Sequence, residues 1–297
     1  MSEGRALKDR YDLVVVGAGP AGLAAATAAT RLGLDTVLLD EQGSPGGQIY
    51  RAVAATPLRD KALLGEDYWQ GAALVETFRH SGAAYVPGAT VWSLSPEREV
   101  AFSIAGAAQL LQARHVILAT GALERPFPIP GWTLPGVMSA GAAQILLKSS
   151  GLVAEGRVVL AGAGPLLWLL AAQYLRAGKR IELILQTSPR ANHRRALRHF
   201  PAFLASAYFV KGLRLVAAVA RRVKIVRDVS ELRALGDESL RGVAYRQGGG
   251  AERHVEADTL LLHHGVVPNL NLALAAGCAY GWDAVSFASR RSPTIGG

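Results

Sequence analysis

The sequence predicts an α/β fold with two Gly-rich strand–turn–helix units, the second inserted into the domain that the first begins. Three observations predict it. Asp12–Gly22 reads Asp-Leu-Val-Val-Val-Gly-Ala-Gly-Pro-Ala-Gly, a buried strand running straight into glycines. Arg157–Pro165 repeats the pattern as Arg-Val-Val-Leu-Ala-Gly-Ala-Gly-Pro. Between them, Glu124–Gly136 carries Pro126, Pro128, Pro130 and Pro135, which argues for an extended crossover at a domain boundary. At 297 residues and 50% hydrophobic composition the chain has enough material for two medium α/β domains. Their expected extents are 1–123, 124–256 for the insertion, and 257–297 for the return to the first domain.

In the first unit Gly17, Gly19 and Gly22 fit G-x-G-x-x-G, with Pro20 and Ala21 between the last two glycines. Such a turn lets backbone approach a pyrophosphate, and the third glycine lets helix and strand pack closely. The helix from Pro20 to about Leu32 points its free N–H groups at the phosphates. The next short strand, Thr36–Asp40, ends on a carboxylate eighteen positions after Gly22, where a ribose hydroxyl is expected. Just past it, Gly46-Gly47 brings backbone amides near the middle of the same ligand, and Gln48 and Arg51 supply polar groups there.

Apolar spacing predicts a helix over Ala62–His80, and short β-like runs follow at Ala84–Val86, Thr90–Leu94, Val100–Ile104 and Leu110–Gln112. His115–Leu118 is a further buried strand that opens into Ala119-Thr120-Gly121. In the second unit the third glycine position is Leu167, whose bulk is expected to disturb close helix–strand packing. Its next strand, Ile181–Leu185, runs into Gln186-Thr187 with no acid for a ribose, and Arg190, Arg194 and Arg195 look like an exposed helix. A nicotinamide dinucleotide is therefore the less favoured occupant of this unit. Lys224–Arg227 reads as a strand, Leu240–Arg246 with Arg253–Ala257 as a hairpin, and Thr259–Leu262 as a buried strand leading back to the first domain. His263-His264 has no ligand spacing with other candidates, so a core or turn histidine is the expectation and no metal site is assigned.

Composition excludes several classes. The single Cys278 leaves no internal disulfide framework and no Cys-based metal or iron–sulfur site within the chain, and fits a reducing cytoplasm. No secretion signal is visible before the first strand. The apolar runs Leu13–Ala29 and Val158–Leu175 are each broken by Gly-Ala-Gly-Pro and read as βα units, not membrane spans. The net charge is +9, with clusters at Arg190–His199 and Arg221–Lys224. No nucleic-acid motif accompanies them, which favours a solvated basic face or a docking face for an acidic partner over nucleic acid or an anionic surface.

Two Gly-rich βα units with Ala119-Thr120-Gly121 between them resemble the two-dinucleotide-domain FAD/NAD(P)-binding flavoproteins, which include thioredoxin and glutathione reductases. Those reductases carry a redox Cys pair, and this chain has none. Finer motifs are Asp40-Glu41-Gln42 with Gly46-Gly47-Gln48-Ile49-Tyr50-Arg51, and Gly121-Ala122-Leu123-Glu124-Arg125-Pro126 running on to Gly141-Ala142-Ala143-Gln144. They are similar to opine oxidase A-type subunits, the B subunit of hydrogen cyanide synthase and hydroxyproline dehydrogenase subunits. The resemblance implies an FAD-dependent oxidoreductase subunit of a hetero-oligomer. On this resemblance a partner flavoprotein subunit would oxidise the C–N bond of a small amino-acid-like substrate, and this subunit would bind FAD and relay electrons. It also implies that Gly17, Gly19 and Gly22 cradle the pyrophosphate, Asp40 or Glu41 holds the ribose, and Val91 offers backbone to adenine. Gly47, Gln48, Arg51, Thr120 and Gly121 then line the flavin side, and no catalytic base is singled out. Family members continue past Pro268-Asn269 into a strand ending in Gly-Asp. Here the pattern is lost over Ser286–Gly297, which reads as a truncated or frameshifted product. The competing readings are a non-catalytic nucleotide-binding or assembly subunit, an inactive fragment, and an NAD(P)H-dependent flavin reductase.

Overall fold

The computed structural model describes residues 7–283 and 288–291; part of the stretch over which the family pattern is lost, 286–287 and 292–297, lies outside them. The chain divides into two compact units, 1–123 with 267–297, and 124–266.

The first unit opens with β1 (Arg10–Val16), α1 (Pro20–Arg31) and β2 (Thr36–Asp40). Every residue of β2 is buried, as a strand covered on both faces of a parallel sheet must be. Pro20 starts α1 with a preset φ and no N–H to satisfy. Two helices follow where one was expected, α2 (Lys61–Leu64) and α3 (Glu66–Arg79). The break is Gly65 at φ +87°, and Asp60 caps α2 by accepting from the Ala62 amide at 2.9 Å. Then come β3 (Ala84–Pro87), β4 (Thr90–Leu94), β5 (Glu99–Ile104) and β6 (Ala107–Leu118). The two runs expected at 110–112 and 115–118 are one strand. The first half of β6 pairs antiparallel with β5 and the second half parallel with β1. The sheet order is β3-β2-β1-β6-β5-β4, and its core holds Val14, Val37, Leu39 and Phe102.

β7 (Ala122–Glu124) leads into the second unit, which starts with β8 (Val137–Ser139) and α4 (Ala140–Ser150). The latter helix carries no sequence expectation, yet Ser139 caps it and Gly151 ends it in the left-handed conformation. The Gly-rich repeat forms β9 (Val158–Ala163), α5 (Pro165–Arg176) and β10 (Ile181–Gln186). A basic excursion follows as α6 (Arg190–Ala196), a 3₁₀ turn, α7 (Phe200–Leu204) and α8 (Ala207–Ala220). β11 (Lys224–Arg227) rejoins the sheet, and β12 (Val229–Leu235), β13 (Gly242–Gln247) and β14 (Arg253–Glu256) make an antiparallel meander.

β15 (Thr259–His264), expected to open the return to the first domain, instead pairs with β9 and β8 inside the second unit. Its Leu260 and Leu262 complete that unit's core with Val159, Leu185 and Val243, so the return begins at Val267 and not at 257. The sheet order is β11-β10-β9-β15-β8. β16 (Val266–Pro268) pairs with β7, and the first unit gains α9 (Asn271–Ala275), whose Leu272 packs on its core, and the pair β17 (Tyr280–Asp283) and β18 (Ala288–Arg291).

Candidate functional site

The carboxyl ends of β1, β2 and β6 converge on the first Gly-rich turn, the position at which parallel sheets present ligands. The Gly17 amide donates to Leu39 O at 2.8 Å, and the Ala119 amide to Val16 O at 2.8 Å. Gly17 sits at φ +102°, and a Cβ there would lie 2.5 Å from Ala119 O. A Cβ on Gly22 would lie 1.8 Å from Gly17 O, so helix and turn tolerate nothing larger. A Cβ on Gly47, at φ +60°, would lie 2.7 Å from the Gly19 Cα, and the Gly46 amide donates to Ala18 O at 2.8 Å. Two glycine pairs far apart in sequence thus form one cradle without side chains. Beside it α1 begins at Pro20-Ala21 with no side-chain cap and no acid in its first turn, leaving its N-terminal amides for an anion.

Asp40 closes the cradle from the end of β2. It is buried, its Oδ1 accepts from the Gln42 amide at 3.3 Å, and its Oδ2 accepts no hydrogen bond among the described residues. Burial pushes its pKa up and Glu41 adds to this; the Gln42 and Ala18 amides and the Arg51 guanidinium pull the other way. The Ala18 amide faces the carboxylate from the turn without completing a bond to Oδ2. Glu41 itself is exposed and occupied by Gln42 Nε2 at 3.1 Å. Of the two acids, only Asp40 offers a buried acceptor.

The Gly46–Arg51 loop is fastened to α3, an anchorage the sequence reading missed. Tyr68 Oη donates to Arg51 O at 2.6 Å, and the Tyr50 ring fills the place where Gly71 lacks a Cβ. Burial pushes the Tyr68 hydroxyl up to about 12, so it stays a donor. Arg51 donates to Gln42 Oε1, which holds the guanidinium on the Asp40 side of the loop, while Gln48 is exposed. The Ala89 amide donates to Asp40 O at 2.8 Å, tying the start of β4, with the half-buried Val91, to the same end of the sheet. Past β6, Thr120 Oγ1 donates to Asn269 O at 2.9 Å and the Asn269 amide to Gly121 O at 3.0 Å. Asn269, also missed, clips the returning chain to the end of β6; the Pro268-Asn269 turn was its only signal.

The second turn copies the first in backbone and departs from it in side chains. A Cβ on Gly162 would lie 1.7 Å from His263 O, as one on Gly17 would meet Ala119 O, so His263 stands where Ala119 does. Leu167 replaces Gly22. By register Gln186 replaces Asp40, since Ala161 pairs with Leu185 as Val16 pairs with Leu39. Leu167 is fully buried and α5 stays packed on β9, so the disturbance expected from its bulk does not occur. His263 is 2% exposed; its Nδ1 lies 2.6 Å from Glu124 Oε1, and Glu124 Oε2 accepts from the Gly141 amide at 2.8 Å. One carboxylate thus joins the histidine to the N-terminus of α4. His264 is exposed and stacks on Phe127 at 4.6 Å; burial of part of its ring and then Arg125 and His263 hold its pKa down. Phe127, Thr187, Tyr245 and His264 line a cavity of about 850 Å³ whose arginines are already neutralised, Arg246 by Glu231 at 2.9 Å and Arg233 by Glu252 at 3.1 Å. Among the described residues no group of three or more His, Cys, Asp or Glu could hold a metal, and no helix is long and apolar enough to cross a membrane.

A Gly-rich turn, an uncapped helix start and a buried carboxylate oxygen, repeated in part on a second parallel sheet, define a two-dinucleotide-domain nucleotide-binding protein. The chain belongs to the pyridine nucleotide-disulphide oxidoreductase family of FAD/NAD(P)-binding flavoproteins, whose model matches residues 11–287. It is 45% identical over 285 residues to the A-type subunit of opine oxidase from Agrobacterium tumefaciens, covering 93% of this chain and 56% of that protein. It is 32% identical over 287 residues to hydrogen cyanide synthase subunit HcnB of Pseudomonas aeruginosa, covering 91% and 60%. The chain therefore spans little more than half the length of these curated relatives. Among solved structures, its fold is similar to L-proline dehydrogenase from P. horikoshii, with a TM-score of 0.67, 17% identity and coverage of 96% and 48%. Thioredoxin reductase of T. acidophilum follows with a TM-score of 0.64, 22% identity and coverage of 92% and 83%.

Proposed function

We propose that the chain is the FAD-binding, electron-relaying subunit of a hetero-oligomeric oxidoreductase that oxidises the C–N bond of an amino-acid-like substrate on a partner flavoprotein subunit. The observation that carries the FAD assignment is Asp40 Oδ2, a buried acceptor without a partner among the described residues, at the strand end where adenosine hydroxyls are received. The names of the relatives, the A-type subunit of opine oxidase and hydrogen cyanide synthase subunit HcnB, support the wider reading.

The residues present fit FAD. Gly17, Gly19 and Gly22 with the start of α1 at Pro20-Ala21 hold its pyrophosphate by backbone amides. Asp40 receives the ribose, the stretch at Val91 offers backbone to adenine, and Gly47, Gln48, Arg51, Thr120 and Gly121 line the path toward the isoalloxazine. When bound, FAD supplies reversible two- and one-electron chemistry. The chain's own part is to orient it and to set the charge around it. Arg51 is the cation on this side of the cradle, and Glu41, displaced to solvent, takes no part.

The flavin-reductase alternative has less support. Gln186 gives the second unit no carboxylate, Leu167 no third glycine, and the cavity arginines no unpaired charge for a phosphate. A titration of the purified chain with FAD, followed by identification of the released cofactor, tests the proposal. Uptake of FAD with a flavin spectrum is the expected result, and a chain that takes up none contradicts it.

A further inference from the structure

The basic stretch after β10 is the largest feature that nucleotide binding leaves unused. From Leu183 to Arg227 the sequence holds ten Lys or Arg and no Asp or Glu. Every described side chain from Pro189 to Ala205 is exposed, so α6 and α7 add nothing to the second unit's core. Yet this segment is not polar. It shows Leu197 (66% exposed), Phe200, Phe203 and Leu204, and α8 continues the surface with Tyr208 (72%) and Leu213. Phe209 holds the aromatic side chains together, edge-on to Phe200 at 6.3 Å and to Phe203 at 5.6 Å. At its far end α8 is anchored by the fully buried Val219.

Bulky apolar side chains exposed along one stretch, two of their rings joined through Phe209, mark an interaction surface. Their setting says which kind. Arg194, Arg195 and Arg198 stand among them, with Lys211 and Arg214 one element on, and no acid lies among them to make the surface selective for one partner geometry. Phosphate-backbone binding explains the cations but not the exposed Leu and Phe. Aromatic and aliphatic side chains interleaved with one sign of charge on short helices match the headgroup–acyl boundary of an anionic bilayer, which accepts both.

We propose that the face formed by Arg194–Leu213 lays the protein on an anionic lipid bilayer, with Leu197, Phe200, Leu204 and Tyr208 entering the boundary region and Arg194, Arg195 and Arg198 meeting phosphate headgroups. Arg190, just before this face, is held by Asp228 at 3.2 Å and takes no part. The placement rests on the surface alone and stands or falls apart from FAD binding.

Vesicle flotation of the full chain tests it, because aggregates do not float. Phosphatidylcholine vesicles containing about a third phosphatidylglycerol should carry the chain upward at low salt, and pure phosphatidylcholine should leave it behind. The Arg194→Gln/Arg195→Gln/Arg198→Gln variant should bind the anionic vesicles about a hundredfold more weakly. Leu197→Ser/Leu204→Ser should leave binding to charge alone, so that high salt releases this variant completely while the wild-type chain is released in part. Circular dichroism checks that both variants, confined to exposed positions, keep the fold. A chain that stays down with anionic vesicles, or floats equally with neutral ones, overturns the proposal. Retention on immobilised polyglutamate without flotation also overturns it and assigns the face to an acidic protein.

Discussion

Asp40 is a residue held against its own solvation. Its carboxyl pKa is raised above 3.8 chiefly by burial, so between 3.8 and the raised value the folded chain binds more protons than the unfolded one. Stability from this group therefore falls as pH rises through that window, and the penalty is complete above it. We expect Asp40→Asn to leave the melting temperature of the FAD-free chain unchanged or higher at pH 7, and to lose that advantage near pH 3.5; parallel thermal melts at the two pH values check this. FAD affinity should move the opposite way. Losing a hydrogen bond to a charged acceptor costs about 1.5–3 kcal/mol, or about 10- to 100-fold in Kd. Wild-type affinity should rise with pH across the same window and the variant's should not. Gly47→Ala places a Cβ 2.7 Å from Gly19 Cα at φ +60°, and should cost about 2 kcal/mol in stability together with FAD uptake, read by melting and flavin fluorescence.

Glu124 connects three elements, the end of β7, the start of α4 and the end of β15. Glu124→Ala leaves both a buried imidazole nitrogen and the Gly141 amide without their acceptor, and should destabilise the second unit by about 2–4 kcal/mol in urea unfolding. Glu124→Gln, which keeps an acceptor for Gly141, should cost less. The second Gly-rich element should be silent toward pyridine nucleotides, so NADH should not bleach the flavin of the loaded chain in anaerobic spectroscopy. Both Gly-rich units were legible in the sequence because the run of Val and Leu into Gly-Ala-Gly-Pro is a local signal. So was the close-packed turn of the candidate site, since Gly17, Gly19, Gly22 and Asp40 lie within one βαβ unit. The long-range parts were not. Gly47 against Gly19, Tyr68 on Arg51 and Glu124 on His263 are contacts between distant segments with no spacing rule. β15 was assigned to the wrong unit because an apolar strand buried on both faces fits either sheet equally well, and only register chooses between them.

At the scale of the whole molecule, the two units share one backbone plan and differ in what they can hold. The first keeps a third glycine, a terminal carboxylate and an uncapped helix start; the second has replaced the glycine with Leu167, the acid with Gln186 and Ala119's counterpart with His263. The expected loading is therefore one FAD per chain, with the second unit free of it. The net charge of +9 is concentrated in the second unit's acid-free stretch, so this basic surface is separate in sequence from the cradle. Co-expression with a flavoprotein subunit of the amine-oxidising type should give a stable complex with amino-acid-dependent dye reduction, where this chain alone gives none. The central claim, that FAD is held by the first unit through Asp40, is tested most directly by titrating FAD into the wild-type and Asp40→Asn chains side by side and following flavin fluorescence. Saturation at one FAD per wild-type chain, with binding about 10- to 100-fold weaker in the variant, is the predicted result. Equal affinity in the two chains, or no uptake by the wild type, would contradict it.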